Sequence, residues 1–387
     1  MSKTALLTLG RLPKALDIAQ ALSLAGWRVI VAEPFAWHLC RVSRHVATSY
    51  QTSAPNSDQQ AYLEDLMRII EQENVSLVVP VSEECLHATM IEDRLGDGVK
   101  VYSMSHAAVR QYHDKLRFIR FAEEHGLGVP QTHLLGSEEA AQLAANQDYI
   151  LKPVSTCSGQ GLEICAAGAS LPELYTRAPT VVQACLKGAH KSTFSMAHEG
   201  RVIGTVVYEA ALLSGTVAAA FRRLEGETLI ESWIERFVLA SGYSGMVSFD
   251  FIEDDDGAPL AIECNPRATS GIHFVEKQDI AGAILAPEKQ YSLKTKPAEL
   301  MHQFFPSLTE TQMAAFRRDD FARKFSVFRK AKDVNFSWGD PLPLWLQPFT
   351  AWTIMKRSMQ NGESFGEAST FDIAWFDEPV SDTQEIA

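Results

Sequence analysis

Four side chains in one short stretch have the types and spacing for phosphate chemistry: Asp250, Glu263, Asn265 and Arg267. Read with a period of two, Val247, Phe249 and Phe251 face one side of a strand, and Ser248, Asp250 and Ile252 face the other. Glu253 to Pro259 is acidic, carries Gly257 and breaks the apolar pattern, as a hairpin turn does. A second strand from Leu260 to Cys264 follows, and alternation puts Glu263 and Asn265 on one face. With Asp250 opposite Glu263, Ile252 pairs with Ala261 and the turn closes around Asp255 to Ala258. Two carboxylates and an amide oxygen then converge, hard ligands of the kind magnesium takes alongside phosphate oxygens. Arg267 is placed to meet an anion beside them. A lone strand Asp is an ordinary surface residue and an acidic turn is ordinarily solvated. The combination in one strand–turn–strand frame is what points to a site.

Asp250-Phe251-Ile252 followed by Glu263-Cys264-Asn265-Pro266-Arg267 resembles the metal-binding hairpin of the ATP-grasp superfamily. The resemblance implies ATP as cofactor and magnesium on Asp250, Glu263 and Asn265, two ions, with manganese as a substitute. It gives Arg267 the transferring phosphoryl group. Upstream, Tyr149 to Leu151 is an apolar strand that delivers Lys152 and is stopped by Pro153. The loop Ser155 to Gly161 is small and polar, so backbone N–H groups at Ser155, Ser158, Gly159 and Gly161 can approach phosphate oxygens. It is not a P-loop, and alone it reads equally as a plain hairpin. Lys152 just before it adds a point charge for the same phosphates. In the family one lysine opens the small subdomain and a second precedes such a loop, which Lys115 (after Asp114) and Lys152 match. Val181 to Gly188 resembles the family's adenine hinge, and Gln183, Ala184 and Leu186 would line that pocket. Where the family commonly has an acid for the ribose hydroxyls, this chain has His190, whose imidazole can still hydrogen-bond a hydroxyl.

Substrate contacts are expected from Arg222 and Arg223 at a strand end, and from Ser270, Gly271 and His273 just past Arg267. Arginine pairs at a strand end are more often solvated charges, and the second group also reads as a capped turn. Glu83, with Glu84, lies beyond a strand's carboxyl end, where it either faces substrate or sits in a helix's first turn.

The elements that must hold these residues follow from periodicity. Thr4–Leu9, Arg28–Ala32, Val75–Val81 and Val99–Ser103 read as strands, with helices over Leu12–Ala25 and Ala61–Glu71. Residues 1–111 thus form a doubly wound parallel α/β domain without a dinucleotide fingerprint. Residues 112–285 are expected to be the ATP-grasp domain, with a helix over His113–His125. A hairpin turns at Glu199–Gly200, and a helix over Leu229–Ala240 feeds the metal hairpin. The resemblance stops after Phe274, leaving 286–387 as a C-terminal extension without motif support. Within it, 317–332 interleaves Arg and Lys with Phe, either packing its Phe face on its own protein or meeting a membrane or carrier. Pro341 and Pro343 are expected to keep 340–345 extended.

At 387 residues the chain has room for two to four domains. A net charge of −13 argues against nucleic acid as partner. Six cysteines without C-x-x-C spacing fit reduced thiols. The first residues lack a signal-peptide pattern, and no run approaches the ~20 apolar residues of a membrane span, so a cytoplasmic protein is expected. The resemblance implies an ADP-producing ligase that phosphorylates a small carboxylic acid and joins it to an amine. Carbamoyl- or formyl-phosphate-type chemistry, a non-catalytic ATP-binding module and a homo-oligomer stay open.

Overall fold

The computed structural model describes residues 3–156, 161–173, 178–215, 217–254, 256–289, 292–315, 318–362 and 365–375. Five parallel strands open the chain: β1 (Thr4–Leu7), β2 (Arg28–Glu33), β3 (Thr48–Gln51), β4 (Val75–Val79) and β5 (Lys100–Val101). Their order is β3-β2-β1-β4-β5, a doubly wound arrangement. Leu6, Ile30 and Val78 pack to one side, and Ala5, Leu7, Val29, Val31 and Val79 to the other. Burial on both faces explains why these strands read as unbroken apolar runs. β3 escaped sequence reading because Thr48–Gln51 is polar and half-exposed.

A four-stranded antiparallel sheet follows, built from β6 (Thr132–Leu134), β7 (Tyr149–Pro153), β8 (Glu163–Cys165) and β9 (Thr180–Ala184) in the order β6-β9-β7-β8. The third sheet contains β10 (His190–His198), β11 (Arg201–Ser214), β12 (Val217–Leu224), β13 (Gly245–Glu253), β14 (Pro259–Asn265), β15 (Leu300–His302) and β16 (Lys332–Asp333). Its order is β14-β13-β10-β11-β12-β15-β16. Left-handed Glu199 and Gly200 turn β10 into β11.

Val247, Phe249 and Phe251 are fully buried. They meet Phe118 from the helix Lys115–Glu124 and Trp233 and Phe237 from the helix Thr228–Ser241. Trp233 and Phe237 stack, and both rings meet Phe249 edge-on. This aromatic layer clamps β13, so Asp250 must project from the other face.

Three expectations are corrected. Asp250 does pair with Glu263, but Ile252 pairs with Leu260, because a bulge between Asp250 and Phe251 shifts the register by one; Asp255 in the turn lies outside the described residues. The helix expected from His113 begins at Lys115, since Asp114 is extended and caps it by accepting from the Arg117 N–H at 2.9 Å. His113 instead ends a preceding helix, His106–His113. Finally, 340–345 is not extended: a helix runs from Leu342 to Asn361, with Pro341 as its N-cap and Pro343 in its first turn. Proline is harmless there because first-turn N–H groups have no helical partner.

The C-terminal stretch extends what precedes it. β15 pairs with β12 and β16 with β15. In the helix Arg318–Lys330, Phe328 packs on His302 and Phe304, while Phe321 and Phe325 stack on each other. Beyond it, Asp372 makes a two-pronged bond to buried Arg11, both contacts at 2.8 Å. Among the described residues no helix is long and apolar enough to cross a membrane.

Candidate active site

One transverse row on the third sheet organises the site. Glu263 lies opposite Asp250, Asp250 opposite Ser192, Ser192 opposite Tyr208, and Tyr208 opposite Arg223. Directly opposed residues share a face, so five side chains from β14, β13, β10, β11 and β12 point the same way. Ser192 Oγ donates to Asp250 Oδ1 at 2.5 Å. Tyr208 is buried, and burial followed by the Asp250 charge pushes its hydroxyl up to about 12.

The two carboxylates titrate apart. Burial and then the neighbouring Glu263 charge push Asp250 up to about 6. Glu263 is half-buried, which opposes its charge, yet Lys115 and Lys152 hold it down at about 2. Asn265 Nδ2 donates to Asp250 Oδ2 at 3.1 Å and to Glu263 Oε1 at 3.4 Å, while its Oδ1 accepts from Arg267 Nη2 at 2.9 Å. The amide nitrogen therefore stands between the carboxylates, where a cation would be welcome. Turning the amide over would present oxygen there instead. Among the described residues no three His, Cys, Asp or Glu side chains gather as a closed metal cage. The donor set fits a magnesium ion that takes its remaining ligands from phosphate and water.

Lys115 and Lys152 are both 5% exposed. Lys115 Nζ donates to the Thr156 carbonyl at 2.7 Å, and Lys152 Nζ to Gln183 Oε1 at 2.8 Å. Burial pulls Lys152 down to about 8 against the pull of Glu263. Two sequestered lysines facing one carboxylate form a cationic floor in an otherwise acidic protein. Ser155 is buried beside them, and Gly161 has a left-handed φ of 68°. Ser158 and Gly159 lie outside the described residues.

The remaining expected residues scatter. Gln183 is buried and spends its side chain on Lys152 and, at 3.0 Å, Thr132 Oγ1. The Ala184 N–H is taken by the Gln131 carbonyl, and Leu186 is half-buried. His190 is exposed, with Nε2 4.0 Å from Asp250 Oδ1. Arg222 points away from the row and pairs with Glu209 at 2.9 Å. Arg223 is in the row, roughly 19 Å from Glu263 at four strand spacings. Its Nη1 bonds Glu225 at 2.8 Å, while its Nε is buried without a partner. Ser270 is half-buried at the start of the 3-10 turn Ser270–Phe274. His273 is 2% exposed, and its Nδ1 meets Asp17 Oδ2 at 2.5 Å. This bond ties His273 to the helix Pro13–Leu24, where an acceptor contact was expected.

Glu83, just beyond β4 of the first sheet, completes the site. It is 1% exposed and accepts from Arg267 Nε at 2.6 Å, with Arg267 Nη2 pairing as well. Burial opposes its charge, but Arg267, then His113 and Lys14, hold its pKa low. Glu84 points elsewhere, accepting from Thr8 Oγ1, the Val81 N–H and the Ser82 N–H. Sequence reading missed Lys14, His113 and Ser192. Lys14 Nζ donates to the Ala268 carbonyl at 2.7 Å, and burial with the Arg267 charge lowers it to about 7. Ser192 carried no local signal, because its partner on β13 lies 58 residues away.

Comparison with known proteins follows the same lines. The family model for the ATP-grasp domain matches residues 112–271. Carbamoyl phosphate synthase large chain from Methanothrix thermoacetophila is 25% identical over 265 residues, covering 60% of this chain and 24% of that one. The chain thus spans about a quarter of the length of the curated relatives it matches. Among solved structures, the biotin carboxylase domain of Hydrogenobacter thermophilus 2-oxoglutarate carboxylase, in complex with MgADP, ADP and bicarbonate, aligns with a TM-score of 0.60. Identity is 16%, over 76% of this chain and 73% of that one. The L-amino acid ligase of Bacillus licheniformis aligns with a TM-score of 0.59 at 15% identity, over 74% of each chain. At such identities the likeness carries the fold.

Proposed function

From the match of residues 112–271 to the ATP-grasp domain, we propose that the chain is an ATP-dependent, ADP-producing carbon–nitrogen ligase of that superfamily, acting on a small carboxylic acid and an amine. The observation that carries this reading is the meeting of two buried lysines with the Asp250–Glu263 pair and Arg267. Carboxylates resist amines because oxide is a poor leaving group. Phosphorylation by ATP replaces it with phosphate, and the protein's task is then positioning and charge neutralisation. Lys115 and Lys152 hold the α- and β-phosphates. Asp250 and Glu263, joined by the Asn265 oxygen once its amide turns over, would hold magnesium, which when bound would neutralise phosphate charge. Arg267, oriented by Glu83, faces the γ-phosphoryl, and Arg223 at the far end of the row is available to an anionic substrate. The complex with MgADP and the ligase of amino acids named above support the cofactor and the reaction class.

Lys152 makes ATP affinity pH-dependent. Lys152 titrates near 8, so its charge is present below that pH and lost above it. ATP affinity of the free protein should fall as pH rises from 7 to 9, by up to about tenfold per pH unit. Lys152→Arg, which stays charged, should flatten the profile, and calorimetric titration at several pH values reads both. An unchanged slope in that variant would remove Lys152 from the phosphate site.

The reaction class is tested with hydroxylamine. The acid is first found by screening ADP release across pools of amino acids and small carboxylic acids. An acyl phosphate intercepted by hydroxylamine should then give hydroxamate in proportion to ADP. Stoichiometric AMP, or ADP without hydroxamate, would overturn the proposal.

A further inference from the structure

The helix Leu342–Asn361 wears its apolar side outward. Pro343, Gln347, Thr350 and Ile354 are buried. On the opposite side Leu342, Trp345, Phe349, Trp352 and Met359 are 57–76% exposed. The spacing of three, four and three residues puts the first four in one stripe along the helix. Trp338, just before the helix, is 89% exposed, and Trp37 is 57% exposed beneath it. Four of the chain's seven tryptophans are therefore exposed in this one region. A helix that is apolar on its outer side needs something to cover it.

Charge says what covers it. The helix rests on the 3-10 turn Leu39–Val42, where Thr350 Oγ1 meets the Trp37 carbonyl at 3.4 Å and Arg44 Nη1 meets the Gly339 carbonyl at 3.0 Å. Neither the helix nor residues 34–47 contains Asp or Glu. Asp340, just before the helix, is 2% exposed and engaged by Ser43, Gln20 and the Arg44 N–H. Arg41, Arg44 and Lys356 are exposed. A cationic, tryptophan-rich patch on a protein of net charge −13 departs from the rest of the surface. A second copy across a two-fold axis would set these cations against themselves, with no carboxylate of the helix or of residues 34–47 to meet. Lipid phosphates would pair with them, and tryptophan favours the headgroup boundary. The helix cannot cross a bilayer, but at twenty residues it can lie along one for roughly 30 Å.

We propose that this face docks the protein flat on an anionic lipid surface, with Trp345, Phe349 and Trp352 entering the headgroup–acyl boundary and Arg41, Arg44 and Lys356 meeting lipid phosphates.

The test is co-sedimentation with vesicles of phosphatidylcholine alone and of phosphatidylcholine mixed with phosphatidylglycerol. The protein should pellet with the mixed vesicles, less so as salt is raised, and its tryptophan emission should shift to the blue. Trp345→Ser with Phe349→Ser and Trp352→Ser should weaken binding by roughly tenfold or more. Arg41→Glu with Lys356→Glu should weaken it by about fivefold per charge. All these side chains are outside the nucleotide site, so the rise in Tm on adding ATP should persist and certify folding. Three outcomes overturn the proposal: no pelleting with either vesicle, equal pelleting of parent and triple variant, or a dimer of the parent that the triple variant dissolves without any vesicle binding. The last would assign the face to a second copy.

Discussion

Glu263→Gln will abolish ATP turnover while leaving the fold intact. The carboxylate lies where both buried lysines converge, and their charges hold its pKa down at about 2 despite burial. It is thus ionised throughout the physiological range and paired across β13 and β14 with Asp250. Glutamine keeps the shape but brings one acceptor oxygen, no charge and an N–H₂ aimed at the ion. Losses of ~10² or more in rate are typical when such an electrostatic group goes. The fold should survive because the Phe249–Trp233 layer clamping β13 lies on the other face of the sheet. ADP release and the thermal melt read the two halves together. Near-parental ADP release from a folded variant would end the metal assignment.

Arg267→Ala should cost as much in rate and considerably more in stability. One guanidinium bonds Glu83, beyond the end of β4, and Asn265 at the end of β14. Removing it strips the γ-phosphoryl of its cation, again ~10² or more in rate. It also leaves Glu83 buried at 1% exposure without its main partner, a situation that costs about 3–5 kcal/mol. Arg267→Lys should restore part of the stability and little of the rate, since an ammonium cannot reproduce the fork. Equal recovery of both by lysine, or loss of Tm without loss of rate in the alanine variant, would make Arg267 a structural link only.

Local pattern made the Asp250–Glu263 hairpin, the lysine-bearing strand and the first parallel sheet legible. In each, the signal is carried by neighbours in sequence: alternation in β13, apolar runs in β1, β2 and β4, a strand stop at Pro153. The errors fell where a local rule met an exception that geometry tolerates. The bulge after Asp250 leaves the functional pair aligned and displaces only the partners beyond it. The prolines at 341 and 343 occupy the one part of a helix that loses nothing by having them.

The sequence by itself determined which atoms could do phosphate chemistry, because carboxylates, an amide and an arginine at strand spacing must share a face. Only the tertiary structure decided what surrounds them. Lys14, Asp17 and Gln20 recur every third residue on the helix Pro13–Leu24, a spacing that says nothing of what packs against them. In the fold they are buried, meeting the Ala268 carbonyl, His273 and Asp340, all far away in sequence. Likewise Arg222 and Arg223 are alike as neighbours, and the pleat alone sends the first to Glu209 and the second into the row of Asp250. Burial of a polar side chain depends on what packs against it, and residues 250 positions away leave no trace in the local pattern.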